Sequence, residues 1–514
     1  MKLPAYEAPV LKDKEAALEL TPSQEVALKA VDFYAEHAQN ERPNFGEHAR
    51  RTADLAYVFA GNDLPSKALD AAYLHDVYDR ARGDDDDARR QLAAENMSVY
   101  FDQPDMTTEE RDYVQSLMND MTTIEDTANW YRETDETYEY DENDPEIWNK
   151  TAPPIPLEDM FTLSKSVNIE SVLLKSCEML DNLHNPAETN VAAMQDIHEA
   201  ESFYAPICEV LGYDGLAMEL RSHAKQNRLL NQGEQGQDVV KNVALFCYEM
   251  RHLGPQSVLN KFASEDDYEV STVVNKPRYI EEYSDTSFET VELGEFALAI
   301  DERVLTGNWR IKSVGSLAGK LLREDRAPEA PMDVMGMTVI SEDTRTLAGD
   351  FALMCKRTVE AEGLTPNKAP SKEKAFFVQG DQAFIDTVCE DLRQELGEEF
   401  VTQEVQCNKK PEGYQVAKFT CKGDDDMPIE MQFVTKEDRK SGRVGKLAHI
   451  FHKQLENGIE YTDEQKTMYA LQLEQIYERK RHMIEHGEEL TVNPQSLIHS
   501  RRAWRGIEHQ LARK

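Results

Sequence analysis

The chain has 514 residues, of which 40% are hydrophobic and 30% charged, and its formal net charge at pH 7 is −40. This length suffices for two or three domains. The charge excludes general binding to nucleic acid, which needs clustered Lys and Arg, but leaves open a strongly solvated surface, a local basic pocket for a small anion, or acidic groups that hold divalent metals.

The mean hydropathy is −0.64, and no apolar run approaches the length of about 18 residues that spans a membrane. Seven cysteines without a CxxC pair predict neither a disulfide framework nor a zinc site. The start of the chain lacks the apolar core of a signal peptide. The expected location is therefore the reducing cytoplasm.

Helical periodicity dominates the first part of the chain. Residues 22–60 predict helices, with Thr21 and Ser23 as candidate N-caps and apolar residues at helical spacing in EVALKAVDFYAEHA. EHARRTADLAYVFA begins the next helix and has His48 in its opening turn. LPSKALDAAYLHDVYDRA predicts another helix, which carries His75 and Asp76. The spacing of the two histidines suits neighbouring positions on an antiparallel helix pair.

An acidic segment interrupts this pattern. Residues 120–160 are acidic, aromatic and proline-bearing, and predict a long loop or insertion. SVNIESVLLKSCEMLDNLHN then returns to helical spacing. Its Asp181 and Asn185 are four positions apart and share a face of the helix.

Four side chains on these helices form a candidate metal site, namely His48, His75, Asp76 and Asp181. Two imidazoles and two carboxylates suit Mn²⁺ or Fe²⁺ in octahedral geometry, with positions left for water or substrate. Such an ion lowers the pKa of bound water and supplies a nucleophile for phosphate-ester hydrolysis. The alternative is that each residue is an ordinary helix residue, since HD pairs also arise by chance.

These stretches resemble the hydrolase domain of the long Rel/SpoT family of alarmone enzymes. The resemblance covers about residues 25–225 and depends on LHDVYD, LDNLHN and HEAESFYAPICEVLGYDGLAMELRSHA in this order. It implies an all-helical HD-type domain that binds one Mn²⁺ and removes the 3′-pyrophosphate of guanosine tetra- or pentaphosphate. It also implies that the four candidate residues are the metal ligands and that Asn185 contacts the nucleotide.

The phosphate-holding positions depart from the family pattern. The family has Glu-Asp three and four residues after the HD aspartate, where this chain has Asp79 and Arg80. Asp79 keeps a carboxylate on a shorter arm, whereas Arg80 reverses the charge, which either favours a phosphate or abolishes the chemistry. Arg42 stands alone where the family has a basic pair. By resemblance, Asp79 and Arg80 are catalytic and Arg42 binds nucleotide.

The second half has a different organisation. After the helical domain over 1–225, we predict a connector with one or two helices over 226–300, a mixed α/β domain over 301–458 and a helical tail over 459–514. Within the α/β domain, NWRIKSVGSLAGKLLRE predicts a basic helix, MDVMGMTVIS a buried strand, LAGDFALMCKRTVEAEG a helix and FTCKGDDDMPIEMQFVT a hairpin.

Two carboxylates mark a candidate site in this domain. In PIEMQFV, alternation puts Glu430 and Gln432 on one face of a strand, and Asp333 begins another strand. Two carboxylates across a sheet can hold Mg²⁺, or act as metal ligand and general base. The alternative is an exposed sheet face with ordinary acids.

This half resembles the Rel/SpoT synthetase domain over about residues 305–455, on the motifs NWRIKSVGSLAGK, DVMGMTVI, KPEGYQVAKFT and PIEMQFVTKEDR. The resemblance implies a nucleotidyltransferase-like fold that transfers pyrophosphate from ATP to GDP or GTP. It implies that Asp333 is a Mg²⁺ ligand and that Glu430 is the base. The implied nucleotide-binding residues are Arg310, Lys312, Lys320, Lys410, Tyr414 and Gln432.

Several neighbours that neutralise phosphate in the family are replaced in this chain. The positions concerned are Thr338, Glu412, Lys418 and Val434. Because phosphoryl transfer depends on such charges, we expect a weak or degenerate synthetase.

The sequence thus predicts a multidomain α + α/β protein with an HD-type hydrolase domain, a nucleotidyltransferase-like domain and a helical C-terminal tail. We expect Mn²⁺ at the first site and, if the second is active, Mg²⁺ there. The expected partners are guanine nucleotides and (p)ppGpp, with ATP for an active synthetase. A homo-oligomer is compatible with the basic final segment, and direct ribosome binding is not expected. The alternatives are an HD phosphohydrolase for another nucleotide with a sensor domain, or an inactive nucleotide-binding regulator.

Overall fold

The computed structural model describes residues 20–38, 45–60, 64–83, 86–134, 147–149, 154–262, 270–273, 293–300, 303–323, 334–361, 364–367, 374–410, 414–422, 428–444, 450–451 and 460–485. The described chain forms two compact units. Unit 1 extends to Ala224, and unit 2 runs from Lys225 to Glu474, after which residues 475–485 group with unit 1. The predicted order, a helical region followed by a region with a mixed sheet, is confirmed. The HD-type and nucleotidyltransferase-like identities stay predictions.

Unit 1 is built from helices. They are α1 (Pro22–His37), α2 (Phe45–Ala60), α3 (Ser66–Gly83), α4 (Asp87–Phe101), α5 (Thr108–Thr134), α6 (Leu157–Ser166), α7 (Ile169–His184), α8 (Asn190–Glu199), α9 (Ala205–Val210) and α10 (Asp214–Asn231), the last of which continues into unit 2. No described helix combines the length and the apolar character needed to cross a membrane.

Helix α3 is the central helix of unit 1. It packs against α1, α2, α4 and α5, and its small and apolar residues, such as Ala72, Leu74 and Val77, are buried. A helix covered on most of its surface has little room for polar side chains. His75, which is also buried, therefore needs polar partners inside the unit.

Helix α5 is longer than the sequence suggested. A loop was expected over 120–160, but α5 continues to Thr134. Met121, Ile124 and Ala128 follow helical spacing and are buried, so their burial against the unit outweighs the acidic composition of the segment.

The position of α7 is fixed by a polar contact with α5. Asp120 accepts hydrogen bonds from the backbone N–H of Asn168 (2.7 Å) and from its side-chain amide (2.8 Å). Asn168 is the residue that begins α7. The apolar face that the sequence predicted for this helix is confirmed, since Leu173, Leu174 and Leu180 are all fully buried.

Unit 2 contains a mixed sheet. Its strands are β1 (Val270–Val273), β2 (Leu293–Ile300), β3 (Arg303–Ile311), β4 (Met335–Ser341), β5 (Thr365–Pro366), β6 (Phe376–Gly380), β7 (Val405–Lys409), β8 (Val416–Lys422) and β9 (Pro428–Thr435). The order is β1-β2-β3-β4-β9-β8-β6-β7, with β5 on β8. Pairs β4/β9 and β6/β7 are parallel, and the remaining pairs are antiparallel.

Helices complete unit 2. They are α11 (Glu234–Phe262), α12 (Val314–Arg323), α13 (Thr344–Glu360), α14 (Gln382–Glu404), α15 (Lys436–Val444) and α16 (Asp463–Glu485), the last of which ends among residues grouped with unit 1. A cluster of phenylalanine rings on β6, β8, β9 and α13 forms part of the core, with ring centroids 5.2–6.3 Å apart. The predicted strand MDVMGMTVIS (as β4), helix LAGDFALMCKRTVEAEG (as α13) and hairpin (as β8 and β9) are confirmed.

Two stretches of unit 2 differ from the sequence prediction. Residues 226–300, expected as a connector, contribute α11, β1 and β2 to the unit. NWRI, expected at the start of a basic helix, ends strand β3, and α12 begins only at Val314. The reason is that Leu305, Trp309 and Ile311 alternate with exposed or half-buried residues and are buried, which is strand periodicity.

Candidate metal centre

Three of the predicted ligands meet where α2 packs against α3. The rings of His48 and His75 have centroids 5.8 Å apart. Nε2 of each histidine lies 3.8 Å from an oxygen of Asp76. One donor atom from each of the three residues falls within 4.8 Å of the others, and no other described set of three or more such residues does so. This spacing suits a single metal ion.

Both imidazoles are oriented by a hydrogen bond on their far side. His75 donates Nδ1–H to the carbonyl of Ala72 (2.7 Å), and His48 places Nδ1 2.6 Å from Oδ2 of Asp181. A proton on Nδ1 leaves the Nε2 lone pair available, as in metal sites where the second nitrogen donates to a carbonyl or carboxylate. In the neutral form of both imidazoles, the two Nε2 atoms would thus face Asp76 with acceptor lone pairs.

Asp181 occupies a different position from the one the sequence predicted. Its Oδ1 accepts a hydrogen bond from Arg51 Nε (2.6 Å), and its Oδ2 accepts one from Arg51 Nη2 (2.9 Å) in addition to the contact with His48. Burial alone would raise the pKa of Asp181, but the bonds from His48 and Arg51 lower it. Asp181 therefore lies behind His48 and outside the three-residue cluster, because Arg51, one turn after His48 on α2, holds its carboxylate.

A second polar network adjoins His75. Lys175 is buried on α7 and donates to Glu178 Oε1 (2.6 Å) and to Glu125 Oε2 (2.7 Å). Asp79, one turn after His75, accepts a hydrogen bond from Thr122 Oγ1 (2.6 Å). Burial raises the pKa of Asp79 to about 6, although Lys175 and Thr122 oppose the shift. Asp79 thus exchanges its proton close to neutral pH.

Glu178 is a site residue that sequence reasoning missed. Its Oε2 is 3.2 Å from His75 Nε2, which is an ion-pair distance for the protonated imidazole. A signal was present, because Glu178 stands three positions before Asp181 and shares its face of α7. Burial would raise the pKa of Glu178, but Lys175 and His75 hold it well below its usual range.

The remaining predicted residues of this site take less central positions. Arg80 is half-buried on α3, and Asn185 is exposed at the end of α7. Asn185 donates Nδ2–H to Oδ1 of Asp181 (3.1 Å), so it contacts the carboxylate that orients His48. Arg42 lies outside the described residues.

In unit 2, predicted residues come together on one face of the sheet. Arg310 on β3 is paired with Gly336 on β4, which is paired with Glu430 on β9. Residues in register on neighbouring strands face the same side, so Arg310 and Glu430 share this face, together with Gln432 two positions along β9. Asp333 lies outside the described residues.

The carboxylate of Glu430 is already engaged. Lys418 on β8 donates to its Oε1 (2.9 Å), and Gln432 donates Nε2–H to its Oε2 (2.9 Å). A base must have a free lone pair within reach of the proton that it accepts. In this arrangement the predicted base, Glu430, is held in an ion pair with Lys418.

The other predicted nucleotide-binding residues of unit 2 lie at several places around the sheet. Lys312 follows β3, Lys320 is on α12, and Lys410 follows β7. Tyr414 is half-buried, with its ring next to Gly442 of α15, where an added Cβ would come within 3.1 Å of it. The ring of Tyr414 is therefore partly covered by α15.

No model of a known protein family matches this chain, and no curated protein gives a significant match. The chemistry of the two sites is therefore argued from side-chain geometry. That geometry is most complete in unit 1, where buried donor atoms converge.

The pKa of His75 leads to a prediction for metal affinity. Burial alone would lower this pKa, but the charges of Glu178 and Asp76 outweigh it and raise the pKa to about 9. A metal binds the neutral imidazole, so below pH 9 it must displace a proton. We expect Mn²⁺ affinity to rise by up to about tenfold per pH unit between pH 6.5 and 8.5. Calorimetric titration at three pH values measures this, and a flat profile would contradict it.

Proposed function

We propose that unit 1 is a metal-dependent phosphohydrolase that removes the 3′-pyrophosphate of (p)ppGpp. The observation that carries this proposal is the convergence of His48 Nε2, His75 Nε2 and Asp76 within 4.8 Å. The donor set supports this reaction class, since a divalent ion held by imidazoles and a carboxylate can activate water for phosphate-ester hydrolysis. The substrate follows from the resemblance of the surrounding motifs to Rel/SpoT hydrolase domains.

The residues fit a divalent ion. Nε2 of His75 is buried and lies beside carboxylate oxygens of Asp76 (3.8 Å) and Glu178 (3.2 Å), so a cation that replaces its proton would lie next to negative charge. His48, His75 and Asp76 would hold the ion, and their mixed nitrogen and oxygen donors suit Mn²⁺. When bound, the ion supplies Lewis-acid activation of water and neutralises phosphate charge.

The side chains around the metal cluster supply a group for proton transfer, hydrogen bonds that hold the imidazoles, and a positive charge. Asp79, with a pKa of about 6, has an acidity suited to give or take a proton at neutral pH. Asp181 and Ala72 hold the imidazoles of His48 and His75 in position. Arg80, one residue further along α3, offers a cation for a phosphate group.

The test is incubation of the purified full chain with Mn²⁺ and labelled guanosine tetraphosphate. We expect release of pyrophosphate, and no release when a chelator removes the metal. A screen of other nucleotides with the same preparation distinguishes the alternative substrate classes. A chain that binds Mn²⁺ but hydrolyses no nucleotide would contradict the proposal.

For unit 2 we propose a guanine-nucleotide sensor with little or no synthetase activity. The ion pair of Lys418 with Glu430 supports the low synthetase activity, because it engages the predicted base, while the guanine nucleotide is taken from the resemblance of the surrounding motifs. Incubation with ATP, Mg²⁺ and GDP should give transfer at the detection limit. If Asp333 binds Mg²⁺ and Lys418 is displaced by substrate, transfer would be readily measured, and the sensor proposal would be wrong.

The two units should be separable by mutation. We expect Glu430→Gln to change the hydrolysis rate by less than about twofold, because Glu430 belongs to the sheet of unit 2 and is not one of the metal-cluster residues. The Gln variant keeps the size of the side chain and replaces only its charge. Rates of pyrophosphate release for the two proteins, measured side by side, test this. A collapse of hydrolysis would mean that Glu430 belongs to the hydrolase machinery.

A further inference from the structure

Unit 2 holds two cysteines whose sulfur atoms are in contact. Sγ of Cys389 on α14 lies 3.6 Å from Sγ of Cys407 on β7, and the two residues are 18 positions apart in the chain. Cys407 is exposed, whereas Cys389 and the other five cysteines are buried. The pair thus combines a thiol that a solvent-borne reagent can reach with a second thiol that touches it.

Packed secondary structure holds the two cysteines together. Helix α14 packs against β6 and β7, and its Val388 and Leu392, which flank Cys389, are buried. Strand β7 is the last in the described order of the sheet and pairs in parallel with β6, which places Cys407 opposite Val378. The contact between the sulfur atoms is therefore fixed by a helix and a strand of the core and does not depend on a loop.

The surroundings of Cys407 favour its thiolate. The hydrogen bond with Cys389 lowers the pKa of Cys407 to about 7, and Lys374 and Arg393 act in the same direction, while burial and Asp386 oppose them. An appreciable fraction of Cys407 is then the reactive thiolate at neutral pH. The same hydrogen bond, together with burial, raises the pKa of Cys389, so Cys389 stays a thiol.

The charge of Lys374 is fixed beside the start of β7. Its Nζ donates hydrogen bonds to the backbone carbonyls of Thr402 (2.7 Å) and Val405 (3.1 Å). A lysine held at two points in this way keeps its ammonium group near the strand that carries Cys407. In a chain with a net charge of −40, such a local cation supports a thiolate that the overall charge would disfavour.

We infer that Cys389 and Cys407 form an oxidant-sensitive pair that closes to a disulfide with hydrogen peroxide. The Cys407 thiolate attacks one peroxide oxygen, the O–O bond breaks and hydroxide leaves, which gives a sulfenic acid. The Cys389 sulfur then attacks the Cys407 sulfur, the S–O bond breaks, and the hydroxyl leaves as water with the Cys389 proton. Two thiols are oxidised and one peroxide is reduced to two waters, because the first hydroxide takes up the proton that Cys407 had released.

The disulfide would join the last described strand of the sheet to the helix that packs on it. Closure needs an approach of the sulfur atoms from 3.6 Å to about 2.05 Å. A bond between β7 and α14 restricts the unfolded segment between them and so resists the local opening of β7. Because Cys407 is exposed, a reductant can reach the bond, and exposed disulfides are the labile, regulatory kind.

Peptide mapping of the native full chain after peroxide treatment tests the chemistry. We expect a cross-linked peptide that contains Cys389 and Cys407, which dithiothreitol separates again, while buried Cys355 and Cys421 stay reduced. In Cys389→Ser the cross-link should vanish, and dimedone should trap the sulfenic acid at Cys407. In Cys407→Ser neither product should form, because the buried thiol of Cys389 has no exposed partner to oxidise.

Each remaining outcome of the mapping contradicts the inference. It is wrong if the wild-type chain carries peroxide-oxidised Cys407 without the cross-link, or if both thiols survive. It is also wrong if Cys407→Ser loses its Cys389 thiol as fast as the wild type does, because the buried sulfur would then react without Cys407. The Cys355→Ser variant, which changes a buried cysteine outside the pair, is the matched control and should form the cross-link as the wild type does.

Hydrogen exchange measures the effect of the bond on the fold. In the cross-linked wild-type chain, the backbone amides of β7 should exchange at least about tenfold more slowly than in the reduced chain. The same peroxide treatment of Cys389→Ser should leave their exchange unchanged. Equal exchange in the cross-linked and reduced wild-type chains would show that the bond does not restrain β7 and would overturn this consequence.

Discussion

Replacing Asp76 by alanine is expected to weaken Mn²⁺ binding by at least about 100-fold and to abolish pyrophosphate release. Even the loss of a partner behind a metal ligand costs about 10- to 100-fold, and Asp76 is the carboxylate that lies 3.8 Å from both Nε2 atoms. Without it, the two imidazoles have no anion between them. Mn²⁺ affinity and initial rates at saturating Mn²⁺ measure the two effects separately.

A second measurement, the pH dependence of Mn²⁺ binding, distinguishes a metal-binding role of Asp76 from a merely structural one. Asp76 is one of the two charges that raise the pKa of His75 to about 9, so Asp76→Ala should lower that pKa. Residual Mn²⁺ binding in the variant should then reach its plateau at a lower pH than in the wild type. The control is Asp105→Ala, an exposed carboxylate between α4 and α5. Equal losses in both variants would show that the effect is not specific to the metal site.

The metal centre was predictable where it depends on helical spacing and on contact between successive helices. The pattern around His48 and His75 predicted two helices, and residues on adjacent helices meet in a packed core. The position of the Asp181 carboxylate on α7 depends on its hydrogen bonds with Arg51. Nothing in the sequence linked these two residues. A glutamate flanked by apolar residues reads as an ordinary helix residue, so Glu178 became visible only through its buried oxygen beside His75.

The second half was predictable in its strands and less so in their pairing. The sequence predicted β4 as a buried strand, β8 and β9 as a hairpin around the GDDD turn, and the two faces of β9 from the alternation in PIEMQFV. It could not predict that residues 226–300 add strands to the same sheet, since strand pairing is non-local. Lys418 was visible in the sequence as a charged residue of the predicted hairpin, but its ion pair with Glu430 required the register of β8 against β9.

Loss of Lys175 is expected to destabilise unit 1 strongly. Its ammonium group is buried between Glu125 and Glu178. Removing one partner of a buried ion pair costs about 3–5 kcal/mol, because the other charge is left uncompensated. Lys175→Met should therefore lower the free energy of unfolding of the metal-free chain by about this amount at pH 7. The transition of unit 1 in urea, followed by circular dichroism, measures it.

The pH dependence of the stability lost in Lys175→Met tests whether the uncompensated charge of Glu178 causes that loss. In the wild type, Lys175 and His75 hold the pKa of Glu178 well below its usual range against the effect of burial, so the stability from its charge is present above about pH 4.5 and falls away only in stronger acid. In Lys175→Met the pKa of Glu178 should rise, and the variant should regain stability as the pH falls through that higher pKa.

Replacing both partners should restore much of the stability, because a well-packed apolar pair carries no uncompensated charge. The double variant Lys175→Met/Glu178→Leu should therefore be more stable than Lys175→Met alone, although it lacks one more native side chain. Additive losses would mean that packing around Lys175, and not the charge of Glu178, determines the effect.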